Sequence, residues 1–145
     1  ALDRDGTVWY GGLSHFDPKK NVHDEYKFEW KQSFRSIPVS SMVLDSHGDL
    51  WLTLLTTGGL GKLDRKTNNI VWWDVPVARA RPYGIVLDHD DNVWFAGYHT
   101  SGIERFDPKT ESFRHYRLTT GAPTNIRRPA VDSKSWVSWS RCWAR

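Results

Sequence analysis

Cysteine and methionine each occur once, at Cys142 and Met42. A single thiol excludes an intramolecular disulfide and any cysteine-built zinc centre, and it leaves the compartment open. No apolar run reaches the roughly 18 residues of a membrane-spanning helix, so no membrane span is expected. Apolar residues nowhere keep a helical spacing over a useful length. Positive charge is not concentrated either. The formal net charge is only +3, with basic side chains scattered apart from the pairs Arg79/Arg81 and Arg127/Arg128. A nucleic-acid binder gathers such charge into a stripe, so no nucleic-acid partner is expected. Nucleophile elbows, phosphate loops and closely spaced histidine pairs are missing too. The chain opens Ala-Leu-Asp, with neither an initiator methionine nor an apolar leader, which reads as a mature or excised product.

What the chain has in excess is tryptophan, nine in 145 residues, and its positions are periodic. Asp3-Arg4-Asp5-Gly6-Thr7-Val8-Trp9 returns as Asp45-Ser46-His47-Gly48-Asp49-Leu50-Trp51 and again as Asp88-His89-Asp90-Asp91-Asn92-Val93-Trp94. The tryptophans are 42 and 43 residues apart, and Asp132 follows Asp88 by 44. A second motif keeps the same beat: Gly12-Leu13-Ser14-His15-Phe16-Asp17, Gly59-Leu60-Gly61-Lys62-Leu63-Asp64 and Gly102-Ile103-Glu104-Arg105-Phe106-Asp107.

Each unit reads as four short strands. Residues 41–44 and 84–87 are apolar first strands, and 129–131 is a shorter version. The Asp-x-x-Gly turn follows, with the carboxylate accepting from backbone N–H groups and glycine taking positive φ. In the third unit Asp91-Asn92 stands where the glycine should be, and asparagine is the expected substitute. Second strands begin at Val8, Leu50 and Val93. In the third strand Leu13, Leu60 and Ile103 are expected to share a face with Phe16 and Phe106, across a bend. Polar outer strands follow at 23–28, 69–73 and 112–117. Trp72 and Trp73 cannot both face inward on a two-residue alternation.

Short strands in units of about 40 to 45 residues are the signature of a β-propeller, whose fixed tryptophan packs against the next blade. The competing architecture is an antiparallel sandwich, which has no need of a tryptophan at one phase of every unit. The expected fold is therefore all-β: a partial propeller of four-stranded antiparallel blades, with units at about 2–40, 41–81 and 82–124 and an incomplete fourth at 125–145. That is about three and a third blades, whereas closure takes at least about four. After Asp132 the repeat decays. The turn glycine is missing, the tryptophan phase falls on Ser138, and Trp136, Trp139 and Trp143 crowd the tail. Either the chain is a fragment, or a homo-oligomer or partner chain completes the ring.

The pairing of Val93-Trp94-Phe95 with Gly102-Ile103-Glu104-Arg105-Phe106-Asp107-Pro108-Lys109-Thr110 resembles the virginiamycin B lyase (streptogramin lyase) family, over residues 2 to about 132. That resemblance implies a seven-bladed, exported bacterial protein, periplasmic or extracellular. It also implies Mg²⁺ with histidine and glutamate residues on one face, linearising cyclic depsipeptides by elimination. The functional positions depart from the family. Where the family often has Thr-Glu after Trp-Phe, this chain has Gly11-Gly12, Thr53-Leu54 and Ala96-Gly97. The family's Pro-His-Gly-Ile reads Pro82-Tyr83-Gly84-Ile85, and a phenol of ordinary pKa near 10 does not replace imidazole as a base.

The expected function is thus a non-catalytic binding or assembly segment without a cofactor. The alternative is a Mg²⁺-dependent lyase whose site is completed by another chain or by further blades, with His89 and His99 as the nearest catalytic candidates. Tyr83, Tyr98 and His99 depart from the repeat around the best-preserved unit, and they are the expected ligand-binding residues. Asp45 and Asp88 recur in every unit, which assigns them to turn capping ahead of metal binding.

Overall fold

A computed structural model describes residues 1–11, 13–25, 39–98, 100, 102–118 and 126–141, with side chains as far as residue 138. It is built of β-strands alone among the described residues. The first sheet holds β1 (Val8–Tyr10), β2 (Ser14–Asp17) and β3 (Val22–Glu25). The second holds β4 (Val39–Leu44), β5 (Leu50–Leu54), β6 (Gly59–Asp64) and β7 (Asn69–Asp74). The third holds β8 (Pro82–Leu87), β9 (Val93–Gly97), β10 (Gly102–Asp107) and β11 (Ser112–Arg117). A two-stranded sheet of β12 (Ile126–Val131) and β13 (Val137–Arg141) ends the chain. Every sheet is an antiparallel meander in sequence order. Adjacent sheets meet through their innermost strands, β4 against β8 and β8 against β12. This is the partial propeller expected from the repeat. No helix among the described residues is long and apolar enough to cross a membrane.

The Asp-x-x-Gly repeat has a fuller physical basis than turn capping. Asp45 accepts from the backbone N–H of His47 at 3.0 Å and of Asp49 at 2.9 Å, and from the indole N–H of Trp51 at 3.1 Å. Asp88 repeats the arrangement on Asp90, Asn92 and Trp94, the last at 2.8 Å. One carboxylate thus ties the turn to the tryptophan six residues on, which fixes the phase of both motifs together. Burial pushes the Asp88 carboxyl up, but the hydrogen bonds from Trp94 and Asn92 outweigh it and hold the group below the ordinary aspartate range.

The left-handed position of the turn belongs to Gly6 (φ 95°), Gly48 (φ 87°), Asp91 (φ 59°) and Ser135 (φ 59°). In the third blade the substitute is therefore Asp91 and not Asn92, which is buried and donates to Asp88. Asp91 gains from the exchange, because its carboxylate reaches Ser46 of the preceding blade through both the backbone N–H (3.1 Å) and the hydroxyl. The tail also forms the turn that its sequence obscures. Asp132 accepts from the N–H groups of Lys134 and Trp136, and β13 pairs with β12. Trp136 remains 72% exposed; Trp143 and the side chain of Trp139 lie outside the described residues.

The third strand does not bend as expected. Pairing of β10 with β9 runs unbroken from Ile103↔Ala96 to Phe106↔Val93, so residues three apart point to opposite faces. Leu60 packs with Trp51, Ile85, Phe95 and Phe106 between blades two and three. Leu63 packs with Trp9, Leu13, Leu50 and Leu52 between blades one and two. The middle strand is buried on both sides and feeds two interfaces, which is why its apolar residues ignore simple alternation. Trp72 and Trp73 divide in the same way. Trp72 joins the first interface, while Trp73 stacks on Trp51 (5.5 Å between ring centroids) and meets Phe106 at 4.9 Å.

Candidate functional site

Antiparallel meanders give each blade two ends. One carries the Asp turns. The other carries the β5–β6 and β9–β10 hairpins and the links between blades.

At the Asp-turn end a cleft of about 510 Å³ is lined by Asp3, Asp45, Ser46, His47, Asp88 and His89, among others. His89 is exposed here. The carboxylates around it are engaged: Asp45 and Asp88 hold their turns, and Asp3 pairs with Arg65. Lys62 bridges Asp49 at 2.9 Å and Asp45 at 3.2 Å. Burial alone pulls its ammonium down, but the two carboxylates outweigh that and raise it above the ordinary lysine value.

At the opposite end the structure brings Tyr83 and Tyr98 together, with ring centroids 6.0 Å apart. Both are placed by the backbone. Tyr83 lies where the β8–β9 register shifts, and its carbonyl accepts from the Thr53 hydroxyl at 2.6 Å. The Tyr98 N–H donates to the carbonyl of Arg81 at 3.1 Å. The guanidinium of Arg127, from the next blade, sits 5.9 Å from the Tyr83 ring centroid and 5.5 Å from that of Tyr98. It donates to the Tyr98 hydroxyl at 3.3 Å. Cation–π contacts of this kind pre-orient a guanidinium. Arg127 gave no signal as a site in the sequence, because only the fold places the fourth unit against the third. His99 lies outside the described residues, and His89 is at the other end of the blade from the tyrosines.

Sequence reasoning also missed Glu104. Its side chain is fully buried, 0% exposed, on the middle strand of blade three. Oε1 shares a hydrogen bond with His115 Nδ1 at 2.7 Å, while Oε2 has no hydrogen-bond partner among the described residues. The repeat explains how it fits. The cross-strand pair Glu104↔His115 stands where blade two has Gly61↔Trp72 and blade one has Ser14↔Glu25. In blade two the indole covers the glycine, where a Cβ would come within 2.1 Å of the ring. In blade three Gly102 leaves the room, and the imidazole lies where a Cβ at 102 would meet it at 2.3 Å. A charged residue where the other units carry glycine and serine was the available signal.

Burial pushes the Glu104 carboxyl above its ordinary 4.5, and the hydrogen bond with His115 opposes this only in part. Between the ordinary and the raised value, the folded state holds a proton that the unfolded chain has released. The associated stability is complete below about 4.5 and is lost as pH rises through the raised folded value. Glu104→Gln is expected to flatten the decline in melting temperature with pH over that window, as read by circular dichroism. An unchanged slope would remove Glu104 as its origin.

Magnesium chemistry needs a convergent set of oxygen or imidazole donors. Among the described residues no group of three or more His, Cys, Asp or Glu side chains is arranged to hold a metal ion.

No protein-family model and no curated protein matches the chain. Solved structures do. Virginiamycin B lyase from Staphylococcus aureus superposes with a TM-score of 0.81 at 18% identity, over 97% of this chain and 47% of the lyase. A streptogramin B lyase gives 0.83 at 19% identity, over 97% and 46%. The fold is that of the streptogramin lyases. The extracellular domain of a one-component system from B. thetaiotaomicron is also similar, with a TM-score of 0.73 at 18% identity over 95% of this chain and 20% of that one. The chain spans less than half the length of the lyases it matches.

Proposed function

We propose that this chain is a non-catalytic propeller segment that binds and assembles. Its blades are completed into a ring by a second copy or a partner chain, and Tyr83, Tyr98 and Arg127 form the ligand-facing surface. The observation that carries this reading is the Arg127 guanidinium held against two tyrosine rings across the seam between blades three and four. Two aromatic faces and a fixed cation suit a ligand with a flat apolar part and a carbonyl or acidic group. Exposed apolar side chains at both ends of the arc, Leu2, Val8 and Tyr10 at one and Trp136 at the other, support completion by further blades. The same reading takes the protein as exported, periplasmic or extracellular.

The alternative, Mg²⁺-dependent opening of cyclic depsipeptides, is supported by the shared fold. The S. aureus lyase is also known as a catalytically inactive variant with quinupristin, so that compound is the natural probe. Light scattering on the purified chain is expected to give a mass above that of one chain, and a stable, soluble monomer overturns ring completion. Incubated with quinupristin and Mg²⁺, the assembled form is expected to yield no linear product by mass spectrometry. Ring opening abolished by EDTA would establish the lyase instead.

A further inference from the structure

Other buried polar side chains of the blades are engaged: Asp45 holds its turn and Trp51, and the Thr53 hydroxyl meets the Tyr83 carbonyl. Glu104 is only half engaged. It lies on the face of β10 that carries Phe106, turned toward blade two, with Phe95 opposite it on β9 and His115 opposite it on β11. Blade two meets that face with Trp51, Leu60 and Trp73, which carry no charge. The ionisable residue on the same side of β6, Lys62, is held by Asp45 and Asp49. Arg117, two residues beyond His115 on β11, is exposed. His115 is thus the partner of the carboxyl, and it meets Oε1 alone.

Strand β11 ends its sheet and pairs with β10 alone. Apart from the pair, it is held by Phe113 against Phe106, with 4.7 Å between ring centroids, and by Tyr116 against Trp94 at 5.3 Å. At the pair's position blade two has the Trp72 indole over Gly61, a contact with no titrating group in it. We infer that Glu104 and His115 form a proton-operated latch: the closed strand keeps a proton on Glu104, and loss of that proton frees β11 from blade three. A carboxylate in place of the carboxyl would be a charge out of water with one oxygen met by no donor, a state that interiors do not sustain. Opening of the edge strand lets water reach it, and strands with exposed backbone bonds and few buried contacts are the ones that open locally. Burial raises the Glu104 carboxyl above 4.5. Between that ordinary value and the raised one, each opening releases one proton, so the open population grows up to about tenfold per pH unit.

The melting temperature reports the whole chain, whereas release of β11 is local, so the test is hydrogen exchange resolved by strand. Exchange of the full chain is followed from about pH 5 to about pH 8, each rate being divided by its intrinsic rate so that base catalysis of exchange drops out. Protection of residues 113–117 is expected to fall at least about tenfold across that range, while protection in β7 holds constant. Glu104→Gln cannot ionise and still offers His115 a polar partner, and its β11 is expected to show no pH dependence. Flat protection of β11 in the unmodified chain overturns the latch without reference to any variant. So does a parallel fall in β7, which would make the event an unfolding of the whole chain. A fall that persists in Glu104→Gln overturns it as well.

Discussion

Asp45→Ala is expected to lower the stability of the chain by about 1–3 kcal/mol, the cost of leaving a buried hydrogen-bond donor unmet. One substitution removes the acceptor for two backbone N–H groups and the indole N–H of Trp51, and one of the two carboxylates holding Lys62. Trp51 is itself fully buried at the seam between blades two and three. Its unpaired N–H would sit in that seam, where an unmet donor costs about 1–3 kcal/mol. Asp45→Asn keeps one acceptor oxygen and is expected to fall between wild type and alanine. Urea unfolding followed by tryptophan fluorescence measures both. Lys66→Ala, at an exposed turn position, should stay within about 0.5 kcal/mol of wild type. Equal midpoints for Asp45→Ala and Lys66→Ala would mean that the carboxylate does no more than cap a turn.

Gly84→Ala is expected to loosen the fourth sheet from the third. A Cβ at residue 84 would lie 2.1 Å from the backbone carbonyl oxygen of Arg127 and 2.9 Å from Cδ of Pro129. Backbone cannot rotate aside as a side-chain tip can, so β12 must move. Overpacking of this kind costs about 1–3 kcal/mol. The displaced strand carries Arg127, so its contacts with Tyr83 and Tyr98 are lost as well. Hydrogen exchange is the direct readout, with faster exchange expected in β12 and β13 and little change in β4 to β7. Gly59→Ala is the matched control, since its added methyl would meet nothing nearer than 3.5 Å. If the two variants exchange alike, the close approach at Gly84 is not what seats β12.

The sequence was most legible where a single residue serves one local purpose in every unit. Asp45, Asp88 and their tryptophans set the blade count and the strand order, because turn chemistry and the packing of a fixed aromatic repeat with the fold. It was least legible where a residue answers to a neighbour distant in the chain. The two faces of β6 and β10 belong to different interfaces, so Leu60 and Leu63 looked misaligned by alternation alone. Asp91 reads as a poor replacement for glycine until Ser46 of another blade is beside it. Tyr83 and Tyr98 stood out as departures from the repeat, while Arg127 did not, because its role depends on β12 lying against β8. Glu104 was hidden inside a motif that otherwise looked regular. Only cross-strand register, which sets it opposite His115, shows that its carboxylate is both buried and half satisfied.

The burial of the middle strands on both faces has a consequence for how the chain comes apart. Among the described residues the main strand contacts between blades join immediate neighbours, so the folding free energy follows a one-dimensional nearest-neighbour scheme, with one intrinsic term per blade and one coupling term per seam. Interior units are held by two couplings and terminal units by one. Melting therefore proceeds inward as a front from the ends. Any added unit that docks on a terminal blade raises the cooperativity of the whole array by converting an end into an interior.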